Sequence, residues 1–104
     1  MTIDELRVLL RIKITQEYQL FKERLMHKTK EEIYAKSYKI DTYVTIYECL
    51  LEISQQLEEK EIRKLLISSD LLAFLYEKWL KKEDSYNVEI TDHIFSEIKE
   101  QVRN

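Results

Sequence analysis

Neither glycine nor proline occurs anywhere in this chain of 104 residues. At ordinary usage the two together fill roughly 12% of a sequence, so their joint absence constrains the fold more than any motif present. It removes mechanisms as well as shapes. Phosphate-cradling loops of the P-loop and dinucleotide type need glycine so that backbone amides can approach the anion. The nucleophile elbow and the glycine-rich kinase loop fall for the same reason. Tight hairpins rely on Asn-Gly or Gly-X, which points away from a many-turned β fold. What remains is an all-α chain whose turns are made by Ser, Thr, Asp and Asn. No catalytic constellation stands out, and no enzyme activity or cofactor is expected.

The length suits one helical domain over residues 1–104, near the lower end of what supports its own core. Apolar residues at 44% and charged residues at 36% describe a folded, soluble chain rather than a disordered one. No apolar run approaches the roughly 20 residues that span a bilayer. The opening MTIDELRV lacks the basic flank and apolar stretch of a secretory signal. Cys49 stands alone, so neither an internal disulfide nor a Cys-pair zinc site is expected. These features together predict a cytoplasmic protein.

The net charge of −3 is unevenly spread. Residues 1–30 carry +3, 31–60 carry −4, 61–83 carry +1 and 84–104 carry −3. A dedicated nucleic-acid binder would show a dominant basic stripe. This distribution instead permits a protein partner with a basic surface.

Five helices are expected. Thr2 with Glu5 is a capping box, and Ile3, Leu6, Leu10, Ile14, Tyr18, Phe21 and Leu25 then recur at spacings of three and four as far as His27. Val8, Leu9 and Ile12 are expected to widen the buried face. Thr29 with Glu32 repeats the box and opens a second helix over about 30–56, with a kink possible at 40–42, where Asp41 and Thr42 offer a fresh cap. One half of this helix carries Ile33, Ile40, Tyr43, Val44, Ile46, Tyr47, Leu50, Leu51, Ile53 and Leu57. An apolar half about 180° wide marks a central helix packed on several neighbours. A short helix over 59–67 follows, then one behind Asp70 with Leu72, Leu75, Tyr76, Trp79 and Leu80 on one face. Asp84-Ser85-Tyr86-Asn87 breaks the pattern. A last helix over about 92–102 is expected behind Thr91 as cap, with Ile90 and Phe95 forming a hydrophobic staple.

The polar half of the central helix holds the candidate site. Tyr34 and Tyr38 stand one turn apart beside Asp41, Glu48 and Glu52. Tyrosine anchors interface cores, and a neighbouring ridge of carboxylates suits an Arg- or Lys-rich protein. The plainer alternative is that the first helix or the tail covers the two rings. The same ridge resembles a phosphate backbone in outline, but −3 overall is weak for a nucleic-acid mimic. His93 and Glu97, at i and i+4, are too few for a metal site, and His93 is expected at the surface. Cys49 reads as a buried structural thiol. The helix pair at 59–67 and 70–82 fits a DNA-reading helix-turn-helix poorly, because Leu71-Leu72-Ala73-Phe74 opens the second helix where polar readers belong. Arg7, Arg11, Lys22 and Lys28 on the first helix would serve a nucleic-acid-associated regulator, and the wide apolar faces allow a homo-oligomer.

The run EEKEIRKLLISSDLLAFLYEKWLKKE at 58–83 resembles a family of small bacterial proteins catalogued as a domain of unknown function (number 3848). Leu65, Leu66, Ser68, Leu72, Tyr76, Glu77 and Trp79 stand at that family's positions, as do Glu31, Glu32, Ile33 and Tyr38 upstream. QEYQLFKERL is similar to its opening stretch, so the resemblance spans roughly residues 10–83. Thr29-Lys30 and Ser69-Asp70 replace the family's prolines, Tyr43-Val44-Thr45 replaces an acidic stretch, and 84–104 has no counterpart. Members look like passengers of plasmids, phages and conjugative elements of Gram-positive bacteria. The resemblance therefore implies a protein-binding inhibitor of a host defence effector, such as an anti-CRISPR acting on a CRISPR nuclease. The alternative it leaves is a regulatory protein of a plasmid or phage.

Overall fold

Thr2 opens the first helix as its capping box predicts: the Glu5 amide donates to Thr2 Oγ1 at 3.2 Å, and the Thr2 amide donates back to Glu5 Oε1 at 3.3 Å. The computed structural model describes residues 1–81 and 90–103, and all regular structure among them is helical. The elements are α1 (Ile3–Met26), α2 (Lys30–Ala35), α3 (Ser37–Ile53), α4 (Glu59–Leu66), α5 (Leu71–Leu80) and α6 (Ile90–Arg103). That is six helices rather than five. The break expected at Asp84-Ser85-Tyr86-Asn87 lies outside the described residues.

The extra helix comes from a break at Lys36 in what the sequence presents as one helix. The Lys36 amide donates to the carbonyls of both Glu32 and Ile33, at 3.2 and 3.1 Å, which tightens the last turn of α2. No kink forms at 40–42. Thr42 Oγ1 donates to the Tyr38 carbonyl at 2.8 Å, and Thr45 Oγ1 to the Asp41 carbonyl at 3.0 Å. The hydroxyls fold back onto the preceding turn, so neither is free to cap a new start. The helix also stops at Ile53, where Ser54 Oγ donates to the Leu51 carbonyl at 2.7 Å.

α3 is the centre of the bundle and packs against α1, α5 and α6, while α4 bridges α1 and α6. The core runs through Leu10 and Ile14 of α1, Ile46 and Leu50 of α3, Ile62 of α4, Leu72 and Leu75 of α5, and Ile94 and Ile98 of α6. Each such side chain contributes about 1.5–3 kcal/mol on burial. Tyr43 couples three helices, stacking on Phe21 at 4.1 Å and tilting against Tyr76 at 5.2 Å.

Five expectations are corrected, among them Cys49, which is half-buried rather than a buried thiol. Val8, Leu9 and Ile12 do not widen the buried face: they are exposed, Val8 at 56%, because α1 packs on one side only. Leu80 is exposed rather than part of the α5 core stripe, whereas Leu71 is buried. Thr91 is not a cap, since α6 is already helical at Ile90; its hydroxyl instead lies 3.0 Å from Cys49 Sγ, which is half-buried. His93 is buried, edge-on to Trp79 at 5.4 Å. Among the described residues no helix is long and apolar enough to cross a membrane.

Candidate functional site

The spacing of α3 decides which of its side chains share a surface. Tyr38, Asp41, Thr45, Glu48 and Glu52 follow one another at intervals of three and four, so they form a single line along the helix. All five are exposed, and the line is about 21 Å long at 1.5 Å per residue. Tyr34, one turn earlier on α2, extends it despite the break at Lys36. Tyr34 is 84% exposed and Tyr38 is 59% exposed. The five residues singled out from the sequence, Tyr34, Tyr38, Asp41, Glu48 and Glu52, thus lie on one outer face.

The two tyrosines differ in how they are held. Trp79 Nε1 donates to the Tyr38 hydroxyl at 3.0 Å, which anchors the ring to α5 and fixes its direction. Tyr34 stands on α2, whose six residues include none that are buried. Around the pair, Ile33, Ser37, Ile40 and Asp41 complete a shallow hollow. At the other end, Glu52 and Gln56 border a polar groove shared with Asp92, Ser96 and Glu100 of α6. The stripe therefore offers an aromatic, partly apolar end and an acidic end.

The side chains expected to serve nucleic acid are differently placed. Arg7 is half-buried, donates to the Leu57 carbonyl at 3.4 Å and pairs with Asp4 at 3.6 Å. Lys22 lies over the Tyr18 ring at 5.3 Å, and Lys28 approaches Glu32 at 4.0 Å. Arg11 is exposed. The first turn of α5 buries Leu71 and Leu72, so it presents no polar reading edge. His93 and Glu97 share one side of α6, and no cluster of three metal-ligating side chains occurs among the described residues.

Two ionic links reach beyond their own helices in ways that spacing does not show. Glu61 is 1% exposed; its Oε1 accepts from the Glu58 amide at 2.8 Å and its Oε2 pairs with Lys99 Nζ at 2.7 Å, tying α4 to α6. Glu17 Oε2 pairs with Lys13 at 2.8 Å, and Glu17 Oε1 accepts from the Leu72 amide at 2.8 Å. Lys13 also donates to the Ser68 carbonyl at 2.6 Å, so this pair of α1 fastens the α4–α5 turn. Beside it, burial pushes the Tyr43 phenol up to about 12, with the Asp70 carboxylate adding to the effect. Burial likewise raises Tyr76, helped by neighbouring Tyr38.

Compared with protein-family models, with curated proteins and with solved structures, the chain matches none.

Proposed function

We propose that this chain is a non-enzymatic protein-binding module that docks a larger protein of basic surface through Tyr34, Tyr38, Asp41, Glu48 and Glu52. The observation that carries the reading is the pair of outward-facing tyrosines in line with three carboxylates. An exposed aromatic forfeits most of the burial that would stabilise the fold, and tyrosine is enriched where proteins meet. Three carboxylates along one line give a field that steers a cationic surface and sets its register. The family resemblance gives the module its setting: inhibition of a host defence nuclease, the CRISPR class included, by a protein carried on a mobile element. That part rests on analogy and not on the site.

The test is a binding measurement against a candidate effector, alongside a plasmid-interference assay. Tyr34→Ala combined with Glu48→Lys is expected to weaken the complex by about tenfold or more, equivalent to about 1.4 kcal/mol. Ile67→Ala, at an exposed position off this line, is expected to leave it unchanged. Both variants should keep the parent melting temperature, because neither change touches the core. Binding that survives the double substitution rejects this face, and interference unaffected across CRISPR classes rejects the inhibitor role.

A further inference from the structure

On the other side of α3 a second concave surface gathers charge of the opposite sign. The end of α1 supplies Arg24, the turn after it Lys28, and the α2–α3 junction Lys36 and Lys39. They surround a hollow of about 220 Å³ with Phe21 and Tyr43 among its apolar residues. The chain as a whole is acidic, so four cations around one small hollow run against its composition.

Local needs account for part of this arrangement. Arg24 and Lys28 suit the negative end of α1, and Lys36 closes the short α2. Lys39 lies over the rings of Tyr43 and Tyr76 at 5.5 and 5.6 Å. Lys28 also approaches Glu32 at 4.0 Å, yet these needs leave unexplained why all four line one hollow. The two carboxylates that share the hollow have other work. Glu17 holds Lys13 and the Leu72 amide, and Asp70 Oδ1 caps α5 by accepting from the Ala73 amide at 3.2 Å.

We propose that this hollow binds a small aromatic phosphomonoester. A phosphate dianion answers several cations at once and accepts the charge-assisted hydrogen bonds that guanidinium and ammonium groups supply. Phe21, Leu25 and Ile40, all half-buried, give the hollow an apolar lining for a ring. Drug-sized ligands fill roughly 300–1,000 Å³, so a hollow of about 220 Å³ takes one ring and one phosphate. The site is separate from the tyrosine–carboxylate stripe, and neither proposal depends on the other.

The experiment titrates the full chain with phenyl phosphate and with inorganic phosphate at low salt, following backbone amide shifts by NMR. Phenyl phosphate is expected to bind about tenfold tighter than inorganic phosphate, with shifts centred on residues 21–28 and 36–43. Arg24→Gln combined with Lys36→Gln is expected to weaken phenyl phosphate by about tenfold, with the amide spectrum otherwise kept. Phosphotyrosine is a natural source of this chemistry, and tighter binding of it than of inorganic phosphate supports the site. Equal affinity for phenyl and inorganic phosphate overturns it, because a loose cation cluster does not recognise a ring. Binding that survives the double substitution in a folded variant, or shifts confined to other residues, overturns it as well.

Discussion

At Tyr43 one side chain carries packing, charge and a proton together. Its ring stacks on Phe21 and its phenol is pushed up to about 12, chiefly by burial and then by Asp70. An unfolded tyrosine ionises near 10, so between the two values the folded chain holds a proton that the unfolded chain has lost. The stabilisation is complete below about pH 10, declines as pH rises and is gone above about pH 12. Two pKa units correspond to about 3 kcal/mol. Urea unfolding of the parent and of Tyr43→Phe at stepped alkaline pH isolates this contribution, since lysine ionisation is common to both. The parent should lose up to about 3 kcal/mol more than the variant across that window. Parallel declines would show that the phenol titrates alike in both states.

The helices differ in what holds them, and their stability should differ accordingly. α2 is six residues long, buries no residue and depends on the Thr29–Glu32 box, in which Thr29 Oγ1 accepts from the Glu32 amide at 3.1 Å. α5 buries Leu71, Leu72, Leu75 and Trp79 and is capped by Asp70 and by Glu17 from α1. Thr29→Ala should therefore abolish hydrogen-exchange protection in residues 30–36 while moving global stability by less than about 0.5 kcal/mol. Glu17→Ala should cost about 1–3 kcal/mol globally, because it orphans the Leu72 amide and leaves Lys13 with the Ser68 carbonyl but no counter-charge. Equal global losses would contradict this ranking. The contrast also shows what sequence can carry. Capping boxes, core stripes and the outer line of α3 follow from spacing alone. The Lys36 break does not, because no turn residue marks it and the extra bond from its amide to the Ile33 carbonyl is settled by geometry; nor does the unbroken course through 40–42, where Thr42 bonds back to the Tyr38 carbonyl instead of capping a new turn. Glu17 left a trace: at about 100° per residue it projects between Leu6 and Leu10, inside the apolar stripe. A carboxylate there calls for a partner, but only the fold brings the Leu72 amide to it. Val8, Leu9 and Ile12 mislead for the converse reason, since hydrophobicity marks what would gain from cover and not where cover exists.

The molecule as a whole places an acidic line and a basic hollow on different sides of one central helix, a division that the segment charges of −4 over 31–60 and +3 over 1–30 only outline. The cations of the hollow come from both segments, so no charge count along the chain isolates them. The turns carry a last consequence. Among the described residues none has a positive φ and no peptide bond is cis, and the chain has no X–Pro bond and a single cysteine. Unfolding it for a minute or for a day therefore creates no slowly equilibrating proline isomers and no mispaired disulfides. Double-jump refolding, with the delay in denaturant varied from seconds to hours, should return the same fast phase with constant amplitude and lack the tens-of-seconds phase that proline imposes. A slow phase that grows with the delay would require another source of memory in the unfolded chain. Time spent unfolded should thus leave no kinetic trace.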